Sequence, residues 1–223
     1  MPTEPLTAPA LERAAASEFG VPIAVTVARE MIDLPALTPA ERKIFERLKA
    51  EARQHTWLMG RAALKPLMRR LRAGDDTASL TFPHTRFSLA HTDEAAVAIA
   101  TPTAQGLGIG VDVERADRQP QERAARFFLS AAEQKWLAAQ PAADQPLALL
   151  RLWTVKEALY KANPDNAGTV LNEYETHNPG ANAGTARILL PGSMWLFRYA
   201  TYAFADAVVS IALTVGGSRC QTP

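Results

Sequence analysis

Cysteine is all but missing from this chain. The single thiol, Cys220, sits in a polar C-terminal stretch, so no intramolecular disulfide can form and a cysteine-built zinc site is excluded; the expected compartment is a reducing cytoplasm. Charge of one sign is missing too. Lys and Arg number 24 against 23 Asp and Glu, a net of +1, so the chain has no global field of the kind that gathers nucleic acid or an anionic membrane. There is no long apolar run: the most apolar stretch, 189–215, is broken by Pro191, Arg198 and Asp206, and no bilayer span is expected. Glu4 and Glu12 precede any basic cluster, unlike the positive start of a signal peptide. What is present is ordinary for a folded protein. The 223 residues, 48% hydrophobic and 21% charged, exclude disorder as the main state and allow one large domain or two small ones.

Local signals place the elements. Residues 1–20, rich in Ala, Pro and Glu, read as a frayed lead-in to a short strand at 23–27. Thr38-Pro-Ala-Glu41 is a capping box with proline at the first helical position, and the apolar spacing that follows predicts two helices over 39–72 with a break near Gly60 or Pro66. Residues 86–90 and 95–100 read as paired strands, and 106–114 as another. Ser130-Ala-Ala-Glu133 is a second capping box, and Pro146 opens a longer helix ending near Asn163-Pro164. Residues 163–187 read as a long loop, followed by strands at 194–202 and 207–215. Neutrality hides a local asymmetry: 41–72 carries a net of +7 and 73–114 a net of −5. Ala95, Val97, Ile99 and Ala100 recur 112 residues later as Ala207, Val209, Ile211 and Ala212, an echo open to chance or to duplication.

Two segments carry chemistry. In Leu107-Gly-Ile-Gly-Val-Asp-Val-Glu114 one strand face holds Leu107, Ile109, Val111 and Val113, and the other two glycines followed by Asp112 and Glu114. The glycines leave room for something large against the backbone, and the acids repel each other unless a divalent cation, or plain solvent at an exposed edge, relieves them. In Leu149–Lys161 an apolar stripe backs a charged face. Glu157 and Lys161 form either a surface i, i+4 ion pair or, with Lys156, a third carboxylate and two cations facing phosphate oxygens.

Together, Gly110-Val-Asp-Val-Glu114 and Trp153-Thr-Val-Lys-Glu-Ala-Leu-Tyr-Lys161 resemble the two signature motifs of the 4'-phosphopantetheinyl transferase superfamily, with Gly60-Arg-Ala-Ala-Leu and Phe87-Ser-Leu-Ala-His91 falling in the order that family uses. Length and layout resemble its monomeric surfactin-synthetase-activating type. The resemblance implies an α+β fold of two similar halves, here 1–105 and 106–223, related by a pseudo-two-fold axis with coenzyme A in the cleft between them. It implies Mg²⁺-dependent transfer of the 4'-phosphopantetheine arm of coenzyme A to a serine of an apo acyl, polyketide or peptidyl carrier protein, releasing 3',5'-ADP, with neither nucleic acid nor membrane as a partner. Asp112, Glu114 and Glu157 correspond to the metal ligands. Glu157 is also the candidate base for the serine proton and Lys161 the residue that neutralises or protonates the departing phosphate. His91 corresponds to the 3'-phosphate contact, and Arg53, Arg61 and Lys156 to cationic contacts on the co-substrate. Ala90 and Thr92 depart from the pattern around His91. The alternatives are a metal-dependent nuclease or phosphodiesterase, built on the same acids, and a non-catalytic coenzyme A binder.

Overall fold

The computed structural model describes residues 4–101, 108–191 and 193–219. Leu107, Gly106 and Cys220, which entered the sequence reading, lie outside the described residues. The fold is α+β, and two antiparallel sheets organise it. The first has three strands in the order β1 (Ala24–Ala28), β3 (Ala96–Ala100), β2 (Phe87–His91). The second has five: β4 (Ile109–Arg115), β8 (Ala207–Arg219), β7 (Ser193–Ala203), β6 (Ala183–Leu190) and the short β5 (Glu175–Thr176).

Wiring and register correspond between the sheets. In the first, Ile99 on the central strand faces Val25 on one side and Ser88 on the other; in the second, Ile211 faces Val111 and Ala200. The residues of the 112-residue echo thus occupy like places. One apolar cluster joins the sheets, with Val97 and Ile99 packed alongside Val111, Val209 and Ile211. Ile109, Val111 and Val113 are buried, as the alternation predicts.

Helix α1 (Ala8–Phe19) replaces the expected frayed lead-in. Thr7 caps it by accepting from the Ala10 N–H, Gly20 ends it at φ 68°, and Leu11, Ala15 and Phe19 pack into the shared cluster. Helices α2 (Pro39–Phe45) and α3 (Glu51–Arg70) do follow the first capping box, but the break falls at 46–50. Gly60 and Pro66 both lie within α3, because burial of Ala63, Leu64, Leu67 and Met68 outweighs the one bond that proline removes. The second box opens α5 (Ala131–Ala138), after the short α4 (Ala125–Phe128), and α6 (Gln145–Ala162) follows. The long loop expected over 163–187 is shorter than that: 183–190 form β6, with Ala186 and Ile188 buried and Thr185, Arg187 and Leu189 outward.

Each capping-box glutamate does more than cap. Glu41 is fully buried; one oxygen accepts from the Thr38 N–H (2.8 Å) and Lys65 Nζ (2.8 Å), the other from the Thr77 N–H (2.9 Å) and Oγ1 (2.7 Å). Lys65 Nζ donates onward to the Asp75 carbonyl. Glu133 repeats this bond for bond. It takes the Ser130 N–H, Lys156 Nζ at 2.6 Å, and the N–H and Oγ1 of Thr176, while Lys156 donates onward to the Tyr174 carbonyl. Each knot ties a helix start to the next helix and to the chain leading on from it.

Burial alone would raise the Glu41 pKa, but the bonds from Lys65, Thr38 and Thr77 win and hold it at about 2. The folded value lies below the unfolded one, so this group's stability is complete above about pH 4.5 and is lost as pH falls toward 2. Glu41→Gln is expected to strand the buried Lys65 charge at a cost of about 3–5 kcal/mol. Urea denaturation at neutral pH and in acid would show the loss and a flattened acid limb; an unchanged limb would remove Glu41 from the account.

Candidate active site

The site begins where strand β4 meets helix α6. A Cβ at Gly108 would stand 2.0 Å from the Ala162 carbonyl oxygen, and one at Gly110 would stand 1.9 Å from that of Ala158. What the bare glycines admit is therefore the backbone of α6, not a ligand. Two residues on, the same strand face reaches the polar side of that helix. Asp112 is 7% exposed, and its Oδ1 accepts from Lys161 Nζ at 2.8 Å. Its Oδ2 is buried and has no hydrogen-bond partner. A further two residues on, Glu114 Oε1 accepts from Trp153 Nε1 at 2.8 Å and pairs with Arg118.

Burial sets the electrostatics. It pushes the Asp112 pKa up, against the pull of Lys161 and Arg118. Glu157 is raised as well, first by burial and further by the nearby Asp112 charge, with Lys161 and then Arg118 opposing. Both shifts express acids with too little positive charge about them. Among the described residues no three His, Cys, Asp or Glu side chains are grouped so as to hold a metal ion. Of the three acids the sequence offered as metal ligands, Glu114 is here committed to Trp153 and Arg118. The bare Oδ2 of Asp112, beside Glu157, nonetheless fits a hard cation, which is the group an orphaned buried carboxylate oxygen lacks.

The first sheet supplies the opposite wall. Ser88 Oγ accepts from the Val111 N–H at 3.0 Å, which lays β2 beside β4 and carries His91 toward the acids. His91 itself is exposed; the protein packed around it lowers its pKa, Lys161 and Arg61 adding to the effect and Asp112 opposing it. Arg61 is buried over the Trp57 ring, 4.4 Å from Cζ to the centroid, with its Nε unpartnered. Desolvation, opposed by Glu41, brings its pKa down to about 10. Arg53 is exposed near the start of the same helix. An open groove of about 580 Å³ runs between the walls, lined by Thr56, His91 and Thr92 on one side and Glu114, Arg115 and Arg118 on the other.

Residues 108–212 match the family model of the 4'-phosphopantetheinyl transferase superfamily. That segment carries the superfamily's pattern. It contains Asp112, Glu114, Glu157 and Lys161, whereas Arg53, Arg61 and His91 lie before it. Among solved structures, the holo-[acyl-carrier-protein] synthase of Thermotoga maritima is similar at 20% identity and a TM-score of 0.32, over 49% of this chain and 64% of that one. This chain thus spans less than two thirds of that synthase's length. Comparison with curated proteins returned no match.

Of the eight residues singled out from sequence, His91 and Glu114 line the groove, Asp112, Glu157 and Lys161 meet at the acidic junction, and Arg53 and Arg61 lie on α3, which contributes Thr56 to the groove. Lys156 stands apart. It is fully buried and held by Glu133 and the Tyr174 carbonyl, so it cannot contact a co-substrate. The +7 basic stretch is similarly thinned, since Lys65 serves Glu41, Arg69 serves Asp75 and Arg70 serves Glu12. Sequence reasoning missed Arg118 and gave Trp153 no polar role of its own. The indole nitrogen, four residues before Glu157 on one helix face, was the available signal for a polar role.

Gly110→Ala is expected to cost about 3 kcal/mol or more, because its methyl group can be housed only by moving helix backbone. Urea denaturation checks this, and wild-type stability would mean that α6 does not bear on the strand as described.

Proposed function

We propose that the protein transfers the 4'-phosphopantetheine arm of coenzyme A to a serine of an apo carrier protein, leaving 3',5'-ADP. The observation that carries this reading is the buried, unpartnered Oδ2 of Asp112, set beside Glu157 and Lys161 within the segment that matches the transferase superfamily. On this reading Asp112, Glu114 and Glu157 would hold Mg²⁺, which when bound neutralises charge on the diphosphate.

The chain's own residues account for the rest. The serine oxygen attacks the phosphorus next to the pantetheine arm, the bond to the bridging oxygen breaks, and 3',5'-ADP departs. Glu157, whose pKa burial raises, is placed to take the serine proton. Lys161, bonded to Asp112 and reaching the same region, neutralises or protonates the departing phosphate. His91, which lines the groove, and Arg61, a buried guanidinium on α3 with an unpartnered Nε, offer hydrogen-bonding and positive groups to the nucleotide end, and Arg53 is exposed on the same helix. Coenzyme A would carry its diphosphate to the acid cluster and its further phosphate toward His91. We further propose that 1–105 and 106–223 are two copies of one unit, a reading supported by the matched registers and the twin Glu–Lys–Thr knots, and that the protein acts as a cytoplasmic monomer.

Incubating apo carrier proteins of fatty-acid, polyketide and nonribosomal peptide type with coenzyme A, Mg²⁺ and the protein should add the phosphopantetheine mass to at least one of them. No mass change in any would overturn the reading. Asp112→Ala and Glu157→Ala should each lower the transfer rate by about 10²-fold or more with the fold retained, as seen by circular dichroism. Lys156→Met, in contrast, should act on stability and leave coenzyme A affinity within about threefold, since its ammonium lies in the core.

A further inference from the structure

Arg118 stands among the acids. Its guanidinium pairs with Glu114 Oε1 and lies over the Trp153 ring, 5.6 Å from Cζ to the centroid. Trp153 Nε1 donates to the same oxygen, so ring and guanidinium hold the carboxylate jointly. The charge is felt deeper in the site as well, where it lowers the pKa values of Asp112 and Glu157 against the rise that burial imposes.

Two cations thus serve this acidic cluster, and they differ in exposure. Lys161 stands in the last turn of α6, its side chain is 28% exposed, and it takes only Oδ1 of Asp112, leaving Oδ2 bare. Arg118 follows the turn that ends β4, where its N–H donates to the Arg115 carbonyl; its side chain is 45% exposed, and it also lines the open groove with His91 and Thr92. Arg118 is the more exposed of the two and already borders the groove into which it could turn.

We propose that Arg118 is a resident counter-ion which occupies the cation position of the Asp112, Glu114 and Glu157 cluster in the free protein and must swing into the groove before a divalent ion can be held there. This rests on the metal reading of the site given above. The reason is Coulombic: a guanidinium and a divalent cation sharing one carboxylate repel each other, and the partly buried setting screens that repulsion less than water does. The groove offers the displaced guanidinium a new partner, since an anionic ligand bound there would take a charge-assisted, bidentate pair from it. Metal and phosphate ligand then favour each other. Whichever binds first, by evicting or by engaging Arg118, prepares the place of the other, and the coupling is reciprocal.

The test uses Mn²⁺ alone, titrated into the full chain and followed by the electron paramagnetic resonance signal of the free ion. Arg118→Gln is expected to bind Mn²⁺ about tenfold or more tightly than wild type, because the competing charge is gone. Arg118→Lys keeps the charge and should stay within about threefold of wild type. Asp112→Asn should abolish binding in either background. Equal affinities for wild type and Arg118→Gln, with Asp112→Asn still abolishing binding, would overturn this inference and leave the metal reading in place. No Mn²⁺ binding by either protein would overturn both.

Discussion

A strand that carries two glycines and then two acids on one face can press against a helix at one end and meets it through side chains at the other. That constraint governs this protein. Gly108 and Gly110 let α6 approach strand β4 backbone to backbone, so the next two positions, Asp112 and Glu114, are aimed at Lys161, Glu157 and Trp153 whether or not their charges are welcome there. The contact fixes position before it fixes energy. A carboxylate with one buried, unpaired oxygen raises the energy of the folded state, and nearby replacements of similar size would remove that cost. Its place in a packed junction is better explained by a ligand that completes it than by stability.

The Glu–Lys knots show the opposite logic. There the buried charges are met almost completely: each glutamate accepts four bonds, and each lysine is shared between a carboxylate and a carbonyl. These pairs specify how a helix start, a second helix and the chain beyond it come together, and being satisfied they need no ligand. The contrast sorts the charges of the molecule. Lys156 and Glu157 are neighbours in sequence, yet one turns into a closed knot and the other into the open acidic cluster.

Much of this was legible in the residues, and the failures have physical causes. Both capping boxes start helices where the sequence places them, because a cap is a local hydrogen-bond problem with a local solution. The alternation along 109–114 assigns the core face for the same reason. Lys156 was misread because spacing gives a helix face and not its depth, and a lysine in the core looks like a surface lysine until its glutamate, 23 positions earlier, is brought to it. The break at Pro66 does not occur because tertiary burial overrides a local penalty. Helix α1 was missed since its apolar positions, Ala10, Leu11, Ala15 and Phe19, are sparse among alanines; strand β6 was missed because Gly184 and Thr185 resemble the loop before them. Of the site, the acids were readable from their motifs. Arg118 was not, as only the turn that ends β4 brings it back over Trp153.

The way the two sheets are joined bears on how such a site can respond to a ligand. Polar links cross the junction: Ser88 to Val111, Arg115 to Glu94, Arg29 to Asp206, and Arg198 to the carbonyls of Glu18 and Phe19 at the end of α1. The exposed ion pairs among them contribute little, about 0–1 kcal/mol each. The holding force is the single apolar cluster to which α1 and both sheets contribute. Opening the groove by a hinge would tear that close-packed cluster, and interiors packed so densely shift between discrete arrangements and do not stretch. Adjustment to a ligand is therefore confined to the rim, where long, half-exposed side chains line the groove. Arg115 is tied there on three sides, to Asp93, Glu94 and Asp117, while Arg118 has a single carboxylate. The rigidity of the core is what makes the single, half-exposed pairing of that one arginine consequential.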